Sequence, residues 1–217
     1  ECIVSMSRIW FLTGIVVALG SAIAVVAEVL PADFEGADYG AWKTDGIAFG
    51  TGPVTGTLPN QNPVSGYLGE RLVNSYVHGD GPTGTLTSPP FKLTGAYLNL
   101  LVGGGGHRDK TCVNLRIGEE TVVSLTGRES ETLDWRSIDI RALEGQEATL
   151  QFVDEATGSW GHILVDHIVL EDEPRGEIYR PGEPQVASRK TTIDRTYLTL
   201  PVKTGAPKKR MRLLADN

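Results

Sequence analysis

The chain has 217 residues, with 27 acidic and 20 basic side chains, a net charge of −7 and 26 glycines. The acidic balance excludes a nucleic-acid-binding surface, which needs a basic face. Without G-x-y periodicity, heptads or paired cysteines it is not collagen, coiled coil or disulfide scaffold, and glycine well above the usual share of about 7% suits a turn-rich all-β protein.

Met6-Ser7-Arg8 precedes an apolar run over residues 9–27, broken only by Thr13, Gly14, Gly20 and Ser21. A basic residue, an apolar stretch and small residues before a polar domain make a secretory signal, with cleavage expected after Ala24 or Ala27. The competing reading is a permanent single-span anchor, since a run of about 19 residues can cross a bilayer. Glu1 to Ser5 lie upstream of the first Met, so residues 1–27 are read as upstream residues and signal peptide. The expected destination is extracellular or periplasmic, with membrane contact only during export. Cys112 is then the one mature cysteine. It sits in an alternating strand, where a buried small hydrophobe is expected.

Residues 28–172 read as one β-domain. Residues 97–102, 112–117, 121–125, 135–140, 148–153 and 163–170 carry strand patterns, and Gly118-Glu119 is the turn of a hairpin. At most a short helical turn fits within residues 138–145. Regularly spaced strands separated by turn residues predict a sandwich or jelly roll. Residues 46–63 form a long loop, and such loops are usually functional or disordered. Phe49 and Tyr67 favour order. Residues 173–192, rich in Pro and charge, read as a linker. Residues 193–217 read as the start of a second β-module, because Tyr97-Leu98-x-Leu100-x-Val102 recurs as Tyr197-Leu198-x-Leu200-x-Val202. Asp216-Asn217 opens a hairpin with no return strand, so truncation is expected.

Two loops concentrate the chemistry. Gly103-Gly104-Gly105-Gly106-His107 has neither the G-K-[ST] ending nor the helix of a phosphate loop. Its glycines admit close approach of a chain segment or a flat ligand, with Arg108 and Lys110 at the rim. Asp154-Glu155-Ala156-Thr157-Gly158-Ser159-Trp160-Gly161-His162 joins two strands. Carboxylates and imidazole bond sugar hydroxyls, and an indole covers the apolar face of a sugar ring. A structural corner, with Trp160 plugging the core, is the other reading. Trp42 and Trp135 are expected in the core. Asp154 and Glu155 point to opposite faces of an extended chain and do not make a catalytic pair. His162, Asp166 and His167 do not fit zinc. Asp33, Glu35 and Asp166 suit calcium, because the terminal strands are neighbours in a jelly roll; the alternative is exposed acids. Lys203, Lys208, Lys209, Arg210 and Arg212 read as a solvated face.

Asp33-Phe34-Glu35-Gly36, Leu86-Thr87-Ser88-Pro89-Pro90-Phe91, the glycine run and Val153-Asp154-Glu155-Ala156-Thr157-Gly158-x-Trp160-Gly161-His162-Ile163 together resemble a known module. It is the N-terminal jelly-roll accessory region of secreted bacterial glycoside hydrolases of family 32, the levanase, inulinase and invertase group. Leu200-Pro201-Val202-Lys203-x-Gly205-Ala206-Pro207 is similar to the β-module before the catalytic propeller there. The resemblance implies a galactose-binding-like β-sandwich followed by the start of a second β-module. Its implied role is a non-catalytic, carbohydrate-binding-like accessory to a fructan-hydrolysing enzyme; the alternative is a purely structural module. The family's W-M-N-D-P-N-G and R-D-P motifs are absent, and Glu1-Cys2 is an accidental match to its E-C motif. No catalytic residue carries over, so the chain is expected to be inactive whatever its parent does. The implied binding residues are Asp154, Glu155, Trp160, His162, His107, Gly104, Gly105 and Arg108. The implied partner is a fructan-type polysaccharide or the protein's own downstream catalytic domain. No cofactor is implied beyond the structural calcium.

Overall fold

The computed structural model describes residues 32–182. The expected leader, the second β-module and residues 183–192 of the expected linker lie outside the described residues.

Twelve strands form in chain order: β1 (Lys43–Gly46), β2 (Val54–Thr55), β3 (Arg71–Asn74), β4 (Gly84–Thr87), β5 (Phe91–Lys92), β6 (Tyr97–Gly104), β7 (Thr111–Ile117), β8 (Glu120–Leu125), β9 (Ser130–Asp139), β10 (Glu147–Asp154), β11 (Ile163–Glu171) and β12 (Glu177–Tyr179). They make two six-stranded sheets, one ordered β1-β4-β10-β7-β8 with β5 also on β10, the other β12-β9-β6-β11-β3-β2. The expected all-β sandwich is what the chain forms. Each strand read between residues 97 and 170 is present, and among the described residues one 3-10 turn spans Arg141–Leu143.

The inner faces meet in one core. Leu86, Val113, Leu115, Leu150 and Phe152 come from the first sheet, with Val73, Leu98, Leu100, Ile138 and Val165 from the second. Alternation along each strand sends these residues inward and their neighbours outward. Trp42 packs edge-on to Phe34 and against Phe152, with ring centroids 5.3 and 5.0 Å apart. Cys112 is fully buried, and burial pushes its thiol above the ordinary range.

The second sheet also has a covered outer face. Val64, Leu72, Leu101, Leu133 and Leu164 cluster there, with Val54, Tyr67 and Trp135 against them. The long loop supplies part of this cover, while Phe49 reaches the main core. That double burial explains why β6 and β11 read as nearly continuous apolar runs.

The domain does not end at residue 172. Residues 173–182, expected as linker, continue the sandwich, because β12 pairs in parallel with β9, placing Ile178 opposite Ser137. Arg175 lies over the Trp135 ring at 4.6 Å, and its backbone N–H donates to Asn99 and Ser137. A Cβ at Gly176 would collide with the Trp135 carbonyl. Proline and charge suggested a linker; hydrogen bonds to Asn99 and Ser137 decide otherwise.

Candidate functional site

Three loops converge at one end of the sandwich on a cavity of about 150 Å³. The 155–162 loop joins β10 to β11 and carries Ser159, Trp160 and His162. The loop after β3 brings Tyr76 and Asp80, and the 57–63 loop brings Asn60, Gln61 and Asn62. Glu131 enters from the start of β9.

Local chemistry fixes each loop. Gly158 donates its N–H to the Asp80 carbonyl at 2.9 Å, and Gly161 donates to the Gly158 carbonyl at 2.8 Å. Between them Trp160 adopts φ +61°. A bulky residue in that left-handed region is a backbone outlier costing on the order of 1–3 kcal/mol, and such strain clusters at functional sites. The Gln61 side-chain oxygen accepts from the Leu58 N–H at 3.2 Å, and Val64 N–H donates to the Thr57 hydroxyl at 2.8 Å.

A polar network forms the floor. His162 Nδ1 lies 2.7 Å from Asp80 Oδ1, and Nε2 lies 3.2 Å from Glu131 Oε2. With carboxylates at both nitrogens, each nitrogen is best used as an N–H donor, which is the imidazolium. Burial opposes that charge, but the hydrogen bonds to Glu131 and Asp80 outweigh it and hold His162 above its ordinary pKa. Gln61 donates to Glu131 at 3.0 Å, and Asn74 donates to Gln61 at 2.8 Å. Asn74 in turn accepts from the Tyr76 N–H at 3.0 Å. Trp160 stacks on the His162 ring at 5.8 Å, with the planes 29° apart.

Of the eight expected binding residues, Trp160 and His162 line the cavity. The others are placed differently. Gly104 and Gly105 are buried behind the loop: a Cβ on Gly104 would stand 2.6 Å from the His162 carbonyl, and one on Gly105 would collide with the Trp160 carbonyl. Gly105 N–H donates to the His162 carbonyl at 2.7 Å. The segment that needs those glycines is therefore the protein's own chain, not a flat ligand. His107 is exposed, with Nε2 3.0 Å from the Ser159 carbonyl, and so braces the loop from outside. Arg108 and Glu155 are exposed away from the lining, Glu155 donating its N–H to the Lys110 carbonyl. Asp154 is fully buried. Its carboxyl oxygens lack a well-formed hydrogen bond, and burial lifts its pKa to about 7, with the Ser75 hydroxyl and the His162 charge offsetting this only in part.

Gln61, Asn74, Tyr76, Asp80 and Glu131 were not singled out from sequence. The 59–63 stretch, Pro59-Asn60-Gln61-Asn62-Pro63, carried one usable signal, an ordered loop with amides at its tip. Glu131 gave none, since Arg128-Glu129-Ser130-Glu131 looks like any solvated charge run. Yet Glu131 is 8% exposed.

The three acids expected for calcium occupy one corner. Ala32 bridges Ile168, so the segment just before Asp33 does lie beside the last long strand. A bulge on β11 between Asp166 and Val169 re-aims the strand there, with His167 at φ +48°. Asp166 is fully buried; Oδ2 accepts from the Leu68 N–H at 2.8 Å, and Oδ1 has no partner. Burial, with Glu35 and Asp33 adding to it, raises the Asp166 pKa to about 7. Glu35 accepts from the backbone N–H groups of Glu70 and Arg71, and Asp33 accepts from the Glu35 N–H. Among the described residues no three His, Cys, Asp or Glu side chains converge as a metal shell.

No protein-family model matches the chain. Over 143 residues it is 43% identical to a protein of Aspergillus rugulosus named "Putative glycosyl hydrolase ecdE". The match covers 64% of this chain and 20% of that protein, so the chain spans about a fifth of its curated relative. Among solved structures, the K3 cleaved adhesin domain of Lys-gingipain from Porphyromonas gingivalis is similar over 65% of this chain and 98% of that one, with a TM-score of 0.42 and 18% identity. The module TmCBM61, solved with β-1,4-galactotriose, is similar over 64% and 92%, with a TM-score of 0.40 and 18% identity.

Proposed function

We propose that this chain is a non-catalytic carbohydrate-binding module of an exported glycoside hydrolase, with the three-loop cavity as its sugar site. The observation that carries the reading is the cavity's chemistry. Two carboxylates, three amides, two aromatic rings and a histidine line one cavity. Hydroxyl-rich, uncharged ligands are recognised by this mixture of acceptors, two-way amides and ring faces. The relative named as a glycosyl hydrolase supports the enzymatic context, and the apolar leader supports export. The finer reading is a fructan-hydrolysing parent of the levanase group. It rests on the motifs that resemble family 32 accessory regions.

Retention of the 217-residue chain in gels containing levan or inulin tests this. Trp160 belongs to neither hydrophobic cluster, so Trp160→Ala is expected to abolish retention while the melting temperature moves by only a degree or two. A purely structural module, packed against a downstream domain, predicts no retention of the unsubstituted chain on either glycan.

We also propose that the Asp33, Glu35 and Asp166 corner takes Ca²⁺. The buried, partnerless Asp166 oxygen supports a hard cation there, and the glycine cradle at residue 69, where a Cβ would collide with the Glu35 carboxylate, keeps that carboxylate in place. The remaining ligands would be main-chain oxygens or water. Millimolar CaCl₂ is expected to raise the melting temperature, by about 2.7 kcal/mol of stability at a hundredfold excess over Kd. Asp166→Asn is expected to remove that response. A melting curve indifferent to both Ca²⁺ and EDTA would reject the site.

A further inference from the structure

Building on the carbohydrate reading, we infer that the cavity selects the terminal residue of a glycan chain and does not grip the chain along its length. The shape argues this first. A small-molecule pocket usually measures about 300–1,000 Å³, whereas this one holds about 150 Å³, room for one sugar unit. Its floor is closed: His162 is 2% exposed and Glu131 8%. Its rim is open at Asn60, Asn62 and Ser159, all exposed. A cavity of that size, floored by His162 and Glu131, seats one unit and leaves the rest of a chain outside.

The polar groups argue it again. Asp80 and Glu131 each direct one oxygen, Oδ1 and Oε2, to the buried network. Their other oxygens remain to accept from hydroxyls. An internal unit has two hydroxyl positions consumed by linkages, while a chain end presents nearly its full set to one wall. Trp160 has its ring stacked on His162, so the indole offers one face, enough to cover a single ring. An unpaired acceptor is costly to bury, so the pocket rewards the ligand that brings the most donors.

Titration calorimetry on the whole chain tests this, using the oligosaccharides of whichever glycan it binds among levan, inulin and β-1,4-galactan. End selection predicts a Kd constant within about twofold from two to six units, one module bound per chain end, and full competition by the methyl glycoside of the terminal sugar. Asn62→Trp, a change at the exposed rim, is expected to weaken binding tenfold or more with the melting temperature unchanged. Glu131→Gln, which keeps the side chain's shape, is expected to weaken it similarly. Affinity that climbs tenfold or more with length, or a monosaccharide that fails to compete, overturns end selection and leaves carbohydrate binding standing. Failure to bind any of the three glycans or their fragments overturns both.

Discussion

At pH 8 the Asp154→Asn chain is expected to melt several degrees above the parent, although the substitution removes a charge next to the candidate site. Asp154 is fully buried without a well-formed hydrogen bond, and its pKa is lifted from 3.8 to about 7. Between those values the folded chain holds a proton that the unfolded chain has released, so stability falls as pH rises through the window. Above the folded value the penalty is complete. A displacement of about three pH units corresponds to about 4 kcal/mol, the upper limit of what asparagine can recover. Near pH 4 the difference should nearly vanish, because the folded parent is then neutral and the unfolded chain is only about half ionised at this position. Asp166 and His162 are shifted in the same direction, so the parent itself should lose stability from pH 5 to pH 8. On the acid side Asp139 and Glu171 act oppositely: their arginine partners hold them below the usual carboxylate range, and their contribution is lost as pH falls through those lowered values. Melting curves at pH 4, 6 and 8 measure all of this. An Asp154→Asn chain less stable than the parent at pH 8 would mean the buried carboxylate is a net stabiliser.

Gly105→Ala is the second large effect. The added methyl meets the Trp160 carbonyl and, at 2.8 Å, the Thr111 hydroxyl. The hydroxyl can rotate, but the carbonyl belongs to a loop already held at φ +61° and tied to Gly105 by the Gly105 N–H to His162 carbonyl bond. Overpacking against a flexible side chain costs about 1–3 kcal/mol, and backbone against backbone should reach or exceed the top of that range. Binding should fall with it, since the only relief is outward movement of Trp160. Gly106→Ala is the control: its nearest neighbours stand at 3.7 Å, ordinary contact, so stability should barely change. Equal melting temperatures for Gly105→Ala and the parent would show that the loop yields easily.

Both effects turn on residues that the sequence marked, but in roles it could not assign. The glycine run announced close approach, and close approach is what Gly104 and Gly105 provide. Their partner was open because a chain segment and a ligand make the same demand on a missing Cβ. Trp160 and His162, which both line the cavity, were legible as candidates, since an indole and an imidazole in a short polar loop are unusual. Glu131, Asp80 and Gln61 were not. They lie 31, 82 and 101 positions from His162, and nothing local to any of them points to that histidine.

Charge argued against the nucleic-acid class and missing repeats against the fibrous ones, and strand periodicity with turn residues determined the β-sandwich, because alternation and turns are local properties of the chain. The hairpin at Gly118-Glu119 and the core strands follow from the same local rules. What only the tertiary structure decided was non-local. Pairing of β12 with β9 moved the domain's end past the proline-rich stretch, and three loops far apart in sequence closed one pocket. Burial, which no single segment encodes, then took Glu131, Asp154 and Asp166, acids that read as surface, out of solvent.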